Sequence, residues 1–174
     1  MNLSQTNEAC EACEVDENLR ILREFYLFSG LPIEVLKLFG YLCVRENFNA
    51  GDYLFHQGDD DGQAISIIAG ESCLVHSLDG KEEVLRKYRE GDFLGGLALV
   101  GHVRRLFSLR AETPMTCLVL TREKFSKAME QFPDLMSKIF KAVAARITDW
   151  EERFIAESAK SDSHCRRLIG ISLI

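Results

Sequence analysis

The sequence predicts a mainly β domain with flanking helices: a double-stranded β-helix, or jelly roll, closed by a long C-terminal helix. Three observations predict it. Between about residues 42 and 120, short apolar segments alternate with glycine turns at nearly even spacing, the pattern of a sandwich, jelly roll or barrel. On either side the apolar period lengthens to three and four residues, which is helical. The chain has 174 residues, of which 47% are hydrophobic and 28% charged. That suits one domain able to bury its own core without disulfides or a structural metal.

The elements follow in order. Residues 1–15 read as a flexible acidic tail, 16–158 as the domain and 159–174 as a C-terminal tail. Asp16 to Phe28 is helical, because Leu19, Leu22, Phe25 and Tyr26 recur at helical spacing. Ser29-Gly30 stops it, and Pro32 opens a second short helix, where its missing N–H costs nothing. Strands are expected at Leu42–Asn47, Asp52–His56, Ala64–Ala69, Ser72–Leu78, Glu83–Tyr88, Phe107–Ala111 and Met115–Leu120. Asp79-Gly80 between alternating runs is a hairpin signal, since both central residues of that turn want positive φ. Thr121 can cap a helix over Arg122–Gln131. Phe132-Pro133 breaks it and starts a longer one, 133–158. There Met136, Phe140, Val143, Ile147, Trp150 and Phe154 are spaced 4, 3, 4, 3, 4. Such a seam either meets a partner helix across a dimer axis or packs on the chain's own core.

Charge and composition exclude several functions. The formal charge is −6, which disfavours direct DNA binding and an anionic membrane surface. No apolar run approaches the ~20 residues of a membrane span. Met1 to Glu17 carries five acids and no base, unlike a secretory signal. The expected setting is cytoplasmic, with six reduced cysteines. Cys43, Cys73 and Cys117 fall in apolar strands, where a thiol acts as a small hydrophobe. Cys10 and Cys13 form a CxxC without a second pair, short of a metal site. Cys73 and His76, three apart on one strand, face opposite sides and cannot ligate together. No metal and no cofactor are expected. No catalytic motif is present, so the chain is not expected to be an enzyme. The run Asp59-Asp60-Asp61-Gly62 lacks calcium-loop spacing and reads as a solvated turn.

Three motifs stand in sequence order: Leu27-Phe28-Ser29-Gly30-Leu31-Pro32, then Phe48-Asn49-Ala50-Gly51-Asp52 with Gln57-Gly58-Asp59, then Gly91-Asp92-Phe93-Leu94-Gly95-Gly96-Leu97-Ala98-Leu99 with Arg105 ten residues after Gly95. Together they resemble the cyclic-nucleotide-binding domain family over about residues 18–157, without the helix-turn-helix domain of its catabolite-activator branch, for which too few residues follow the long helix. The chemistry of the last motif stands by itself. A glycine turn opening a short helix aims backbone N–H groups at one spot, where an anion can sit. Arg105 can close over that anion with two parallel charge-assisted bonds. The resemblance implies the same roles for Gly95, Gly96, Leu97, Ala98 and Arg105 toward the phosphate of cyclic AMP or cyclic GMP. On the residues alone, Arg105 is also readable as a surface arginine and Gly95 as a turn glycine needed only by the backbone.

Departures from the family pattern qualify this. The family has a glutamate where this chain has Gly96. Proline before the arginine is replaced by Arg104, and the small residues after it by Leu106 and Phe107, while Ser108 keeps a hydroxyl. Trp150 falls where the base is met in the transcription-factor branch, and either stacks on a purine or fills its place. A lost charged hydrogen bond costs about 1.5–3 kcal/mol, which weakens binding rather than abolishing it. The expectation is a stand-alone regulatory or sensor domain with a degenerate phosphate cassette that binds cyclic AMP or cyclic GMP weakly and forms a homodimer through helix 133–158. The alternative is a ligand-free scaffold, or a protein-interaction module for an unidentified protein partner, dimerising through the same helix.

Overall fold

The computed structural model describes residues 3–158, with side chains described from 13 to 153. Helices α1 (Leu3–Arg23) and α2 (Ile33–Leu42) precede eight strands: β1 (Val44–Phe48), β2 (Tyr53–Phe55), β3 (Gln63–Ala69), β4 (Glu71–Leu78), β5 (Lys81–Arg89), β6 (Phe93–Leu94), β7 (Ser108–Ala111) and β8 (Met115–Thr121). A short helix α3 (Gly96–Val100) lies between β6 and β7, and α4 (Arg122–Glu130), a 3-10 turn (Pro133–Leu135) and α5 (Met136–Ser158) follow. The strands form two four-stranded antiparallel sheets, ordered β1-β8-β3-β6 and β2-β7-β4-β5. This is the expected jelly roll with flanking helices.

Strand alternation divides the core in two. On β8, Cys117 and Val119 face into the roll beside Ile65, Ile67, Leu74 and Leu109. Their neighbours Leu118 and Leu120 face outward and are covered by the helices, with Ala64 of β3. Side chains along a strand point to opposite faces, so one sheet serves both cores. The helical core holds Phe28, Phe39 and Phe125, with Phe39 stacked on Phe125 at 5.4 Å between centroids. Burial pushes the Cys43 and Cys117 thiols up to about 12, which leaves them neutral packing groups.

Local signals are met where expected. Asp79 (φ 52°) and Gly80 (φ 74°) form the two-residue turn between Leu78 and Lys81. Thr121 Oγ1 accepts from the Lys124 amide and caps α4.

Two expectations are corrected. The lead of residues 1–15 is helical from Leu3, and that helix ends at Arg23 rather than Phe28. Alanine and glutamate, frequent there, are strong helix formers, and tertiary contacts hold the helix. Gly40 of α2 comes so close that a Cβ would lie 3.2 Å from the Val15 carbonyl. Arg45 of β1 reaches Glu14 at 3.5 Å and Glu17 at 2.7 Å, and also donates to Asn18. Beyond Arg23 the chain turns, with Phe28 N bonded to Phe25 O and Leu31 N to Phe28 O. Phe25, Leu27 and Phe28 are all buried, and consecutive buried residues do not share one helix face.

The second correction concerns one residue of the α5 seam, Phe140; Met136, Val143 and Ile147 pack on the chain's own core, one of the two expected readings. Ile139 and Val143 are buried in the chain's own helical core, with Met136 and Ile147 against it, whereas Phe140 is 56% exposed. The inward stripe includes Ile139, outside the heptad, because helix-on-core packing uses a wider face than a coiled-coil seam. Phe154 lies beyond the described side chains, and the tail 159–174 beyond the described residues.

Truncating Phe39 to Ala should destabilise the fold by about 3–5 kcal/mol, while Leu78→Ala, exposed at a hairpin end, should stay within about 0.5 kcal/mol. Denaturant unfolding of both variants checks this.

Candidate functional site

The turn before β3 and the start of α3 converge on one arginine. Arg105 is 5% exposed, so its charge needs a partner. Its backbone is clamped to the 58–59 turn: Gly58 N donates to Arg105 O at 2.7 Å, and Arg105 N to Asp59 O at 2.8 Å. The guanidinium lies over the Phe55 ring, 4.1 Å from its centroid. Nε donates to Asp61 Oδ2 at 3.1 Å and Nη2 to Asp61 Oδ1 at 2.8 Å, a forked pair. Nη2 also donates to the Gln63 carbonyl at 2.5 Å. Asp61 Oδ1 in turn accepts from Gln63 N.

The remaining atom, Nη1, faces Gly95. A Cβ at Gly95 would sit 2.8 Å from it and 2.5 Å from the Gln63 oxygen, and Gly95 has φ +82°. Only glycine fits both the space and the backbone there. Gly95 is the N-cap of α3, whose first amides, Gly96 and Leu97, have no acceptor within a helix. Arginine and amides thus share one small cradle.

The acidic turn is not merely solvated. Asp59 Oδ2 accepts from His56 N at 2.8 Å. Asp60 pairs with Arg122, whose Nε donates to the Ala98 carbonyl at 2.7 Å. The Asp60 carboxyl is held below its usual range, first by the hydrogen bond from Arg122 and then by His102. Asp61 is the counter-ion of the cradle. The signal for it was present: an arginine taken into a β-roll requires a carboxylate, and three precede β3.

The other expected site residues are distributed more widely. Ala98 is buried and Leu97 packs against the helical core. Leu106 points outward at 46% exposure, while Phe107 belongs to the roll core, with His76 at its edge. Ser108 Oγ accepts from Gln57 N at 2.9 Å and ties the turn to β7. Trp150 is half-buried on α5, one turn past Arg146.

Gly96 carries the main departure. A Cβ there would collide with Tyr26 Oη and lie 3.2 Å from Phe93. The phenol of the N-terminal segment occupies the space that a side chain at 96 would need. Arg146 lies over the Tyr26 ring, 5.6 Å from its centroid. From sequence Tyr26 is only one of the apolar residues at helical spacing and Arg146 carries no signal; only spatial proximity places them at the site. Among the described residues no cluster of three His, Cys, Asp or Glu could hold a metal.

Two outcomes test this geometry. Asp61→Asn, which strands a buried guanidinium, should cost about 3 kcal/mol, read by urea unfolding at pH 7. Gly96→Ala should destabilise, and Tyr26→Phe, which removes the colliding oxygen, should restore part of the loss in the double variant. The pH dependence of Asp60 has a defined sign. A depressed carboxyl stabilises above its unfolded pKa of about 3.9 and loses that contribution as pH falls through its lower folded value. The stability gap between wild type and Asp60→Asn should therefore be full at pH 6 and close toward pH 2, as seen by urea unfolding across that range.

Comparison with known proteins agrees with the geometry. The sequence model of the family described as "Cyclic nucleotide-binding domain" matches residues 45–132, from β1 to the end of α4. The chain is similar to cGMP-dependent protein kinase 2 of Mus musculus, 28% identical over 151 residues, covering 84% of this chain and 20% of the kinase. It is also similar to the cAMP-dependent protein kinase regulatory subunit of Emericella nidulans, 30% identical over 118 residues, covering 67% of this chain and 28% of that subunit. The chain thus spans a fifth to just over a quarter of these curated relatives' lengths. A solved cyclic nucleotide-binding-like protein from Brucella abortus superposes with a TM-score of 0.62 at 28% identity, covering 66% of this chain and 98% of that one. With the roll, the glycine cradle and its arginine all falling in the matched segment or at its edge, the chain belongs to the cyclic nucleotide-binding domain family.

Proposed function

We propose that the chain is a non-catalytic regulatory module that binds cyclic AMP or cyclic GMP weakly, with the cyclic phosphate in the cradle of Arg105 Nη1 and the Gly96 and Leu97 amides. The observation that carries this reading is the inward, buried Arg105 beside Gly95. An arginine kept inside a roll for packing alone would be a poor choice, because its desolvation is costly and an apolar residue would do as well. The names of the two relatives, a cGMP-dependent kinase and a cAMP-dependent kinase subunit, support the ligand class.

Weakness follows from two contacts. Asp61 already neutralises Arg105 and takes two of its donors, so an arriving phosphate meets a carboxylate close by. Gly96 offers no side chain, and Tyr26 Oη fills its surroundings. Ligand acts by biasing α5, the long helix that carries Arg146 over Tyr26. Cys73 and Cys117 are buried as small packing groups of the roll, and a reducing, cytoplasmic setting is part of this reading.

The scaffold reading remains a second one, favoured by a single observation: Phe140 stands 56% exposed on α5. A homodimer through that helix would bury it.

Titration calorimetry with cyclic AMP and cyclic GMP tests the first reading. Binding is expected and should fall by roughly 2 kcal/mol or more in Arg105→Ala and in the charge-retaining Arg105→Lys, which lacks the fork. Unchanged affinity in folded variants, or no binding by wild type, removes it. For the dimer, light scattering at high concentration should give twice the protomer mass, reverting to one in Phe140→Ser. A monodisperse monomer ends that reading.

A further inference from the structure

Three segments converge on Arg122, the first residue of α4. Its Nε donates to the Ala98 carbonyl of α3 at 2.7 Å, and its amide to the Gly62 carbonyl at 2.6 Å. Gly62 also leaves room for the guanidinium, since a Cβ there would lie 3.0 Å from Nη2. Nη2 pairs with Asp60 Oδ1, in the turn before β3. The third segment is the loop between α3 and Arg105, which brings His102. Its Nδ1 lies 2.6 Å from Arg122 Nη1 and 2.7 Å from Asp60 Oδ2.

Those two contacts make opposite demands on one nitrogen. An arginine N–H only donates, so it needs an unprotonated Nδ1. An ionised carboxylate only accepts, so it needs Nδ1–H. Neutral imidazole with its proton on Nε2 satisfies Arg122 and gives Asp60 nothing. Imidazolium satisfies Asp60 and turns an N–H toward the arginine, like charge against like charge. Asp60 stays ionised wherever an imidazole titrates, because Arg122 and then His102 hold its carboxyl below the usual range. The other charged groups of these segments are engaged elsewhere: Asp59 accepts from the His56 amide, Asp61 holds Arg105, and Glu123 of α4 pairs with Lys127. Arg104, in the same loop, is exposed, and α3 itself carries no ionisable side chain. The His102 ring is 84% exposed, so protons reach it freely.

We propose that His102 is a proton-operated latch on α3. With the ring neutral, it accepts from Arg122 and fixes the guanidinium that holds the Ala98 carbonyl. Protonated, it passes to Asp60, competes with Arg122 for that carboxylate and repels the guanidinium, so the end of α3 is held less firmly. The change falls between about pH 5 and 8, where imidazoles change charge. Because α3 supplies the Gly96 and Leu97 amides, acid loosens one wall of the cradle. The latch itself does not depend on what the cradle binds.

NMR of the full chain at pH 8 and pH 5 tests this. Ring-nitrogen spectra should show His102 with a bare Nδ1 and Nε2–H at pH 8, and with both nitrogens protonated at pH 5. The Gly101 amide, which closes α3 onto the Leu97 carbonyl at 3.1 Å, reports the hold on the helix by hydrogen exchange. Its protection factor, in which the intrinsic pH dependence cancels, should be about two- to fivefold lower at pH 5, the scale of one partly exposed charged contact. The Ile67 amide, bonded to Asp92 O inside the roll, should not change. His102→Ala, a surface substitution that leaves the fold intact, should abolish the step at Gly101. A proton on Nδ1 at pH 8 overturns the proposal, since the ring would then donate to Asp60 in both charge states. So does a Gly101 protection factor equal at both pH values, a fall as large at Ile67, or a step that persists in His102→Ala.

Discussion

A guanidinium inside a β-roll has to be neutralised and its donors satisfied, and much of the local structure around Arg105 follows from that requirement. Asp61 takes two of its bonds and the Gln63 carbonyl a third. To deliver both acceptors, the turn between β2 and β3 must fold tightly, and the backbone exchange of residue 105 with Gly58 and Asp59 fixes it against the approach to β7. The same turn holds α3 through Asp60 and Arg122, which reaches the Ala98 carbonyl. One buried charge therefore organises three chain segments distant in sequence, and places the α3 amides beside its remaining edge. Removing either member of such a pair leaves the other without compensation, so the arrangement tolerates loss of a partner poorly even where its net contribution to stability is modest.

The helical layer is linked to this cradle by aromatic contacts. Phe93, which leads into α3, stacks on Phe25 at 4.4 Å and meets Phe28 edge-on. Tyr26 fits against Gly96 and lies under Arg146 of α5. The absent side chain at 96 and the phenol are two halves of one exchange, since the position cannot hold both. A displacement of α3 has a short physical route to α5 through this phenol. It is a chain of packed side chains, one of the physical routes by which a site can be coupled to a distant helix.

Much of the roll was legible because its signals are local. Seven strands were placed within a few residues, the Asp79-Gly80 turn by its need for positive φ, and α4 by its threonine cap. Gly95 and Arg105 were legible as a pair through their spacing and family resemblance. The helix over 3–23 was not, since acidic composition alone suggests a solvated tail, while Gly40 and Arg45, far along the chain, supply the contacts that hold it. On α5 the expected seam packs inward at Met136, Val143 and Ile147, but Ile139 takes the place of Phe140, because the two are equally apolar and only the neighbouring core selects between them.

The amino-acid order by itself determined the period of each segment, the turns that end them and the family to which their sequence belongs, because these rest on the preferences of a few adjacent residues. Tertiary structure alone decided which carboxylate of Asp59, Asp60 and Asp61 neutralises Arg105, and that Tyr26 takes the room left by Gly96. Partner choice for a buried charge or hydroxyl depends here on distances between segments 44 and 70 residues apart, and no local preference encodes those distances.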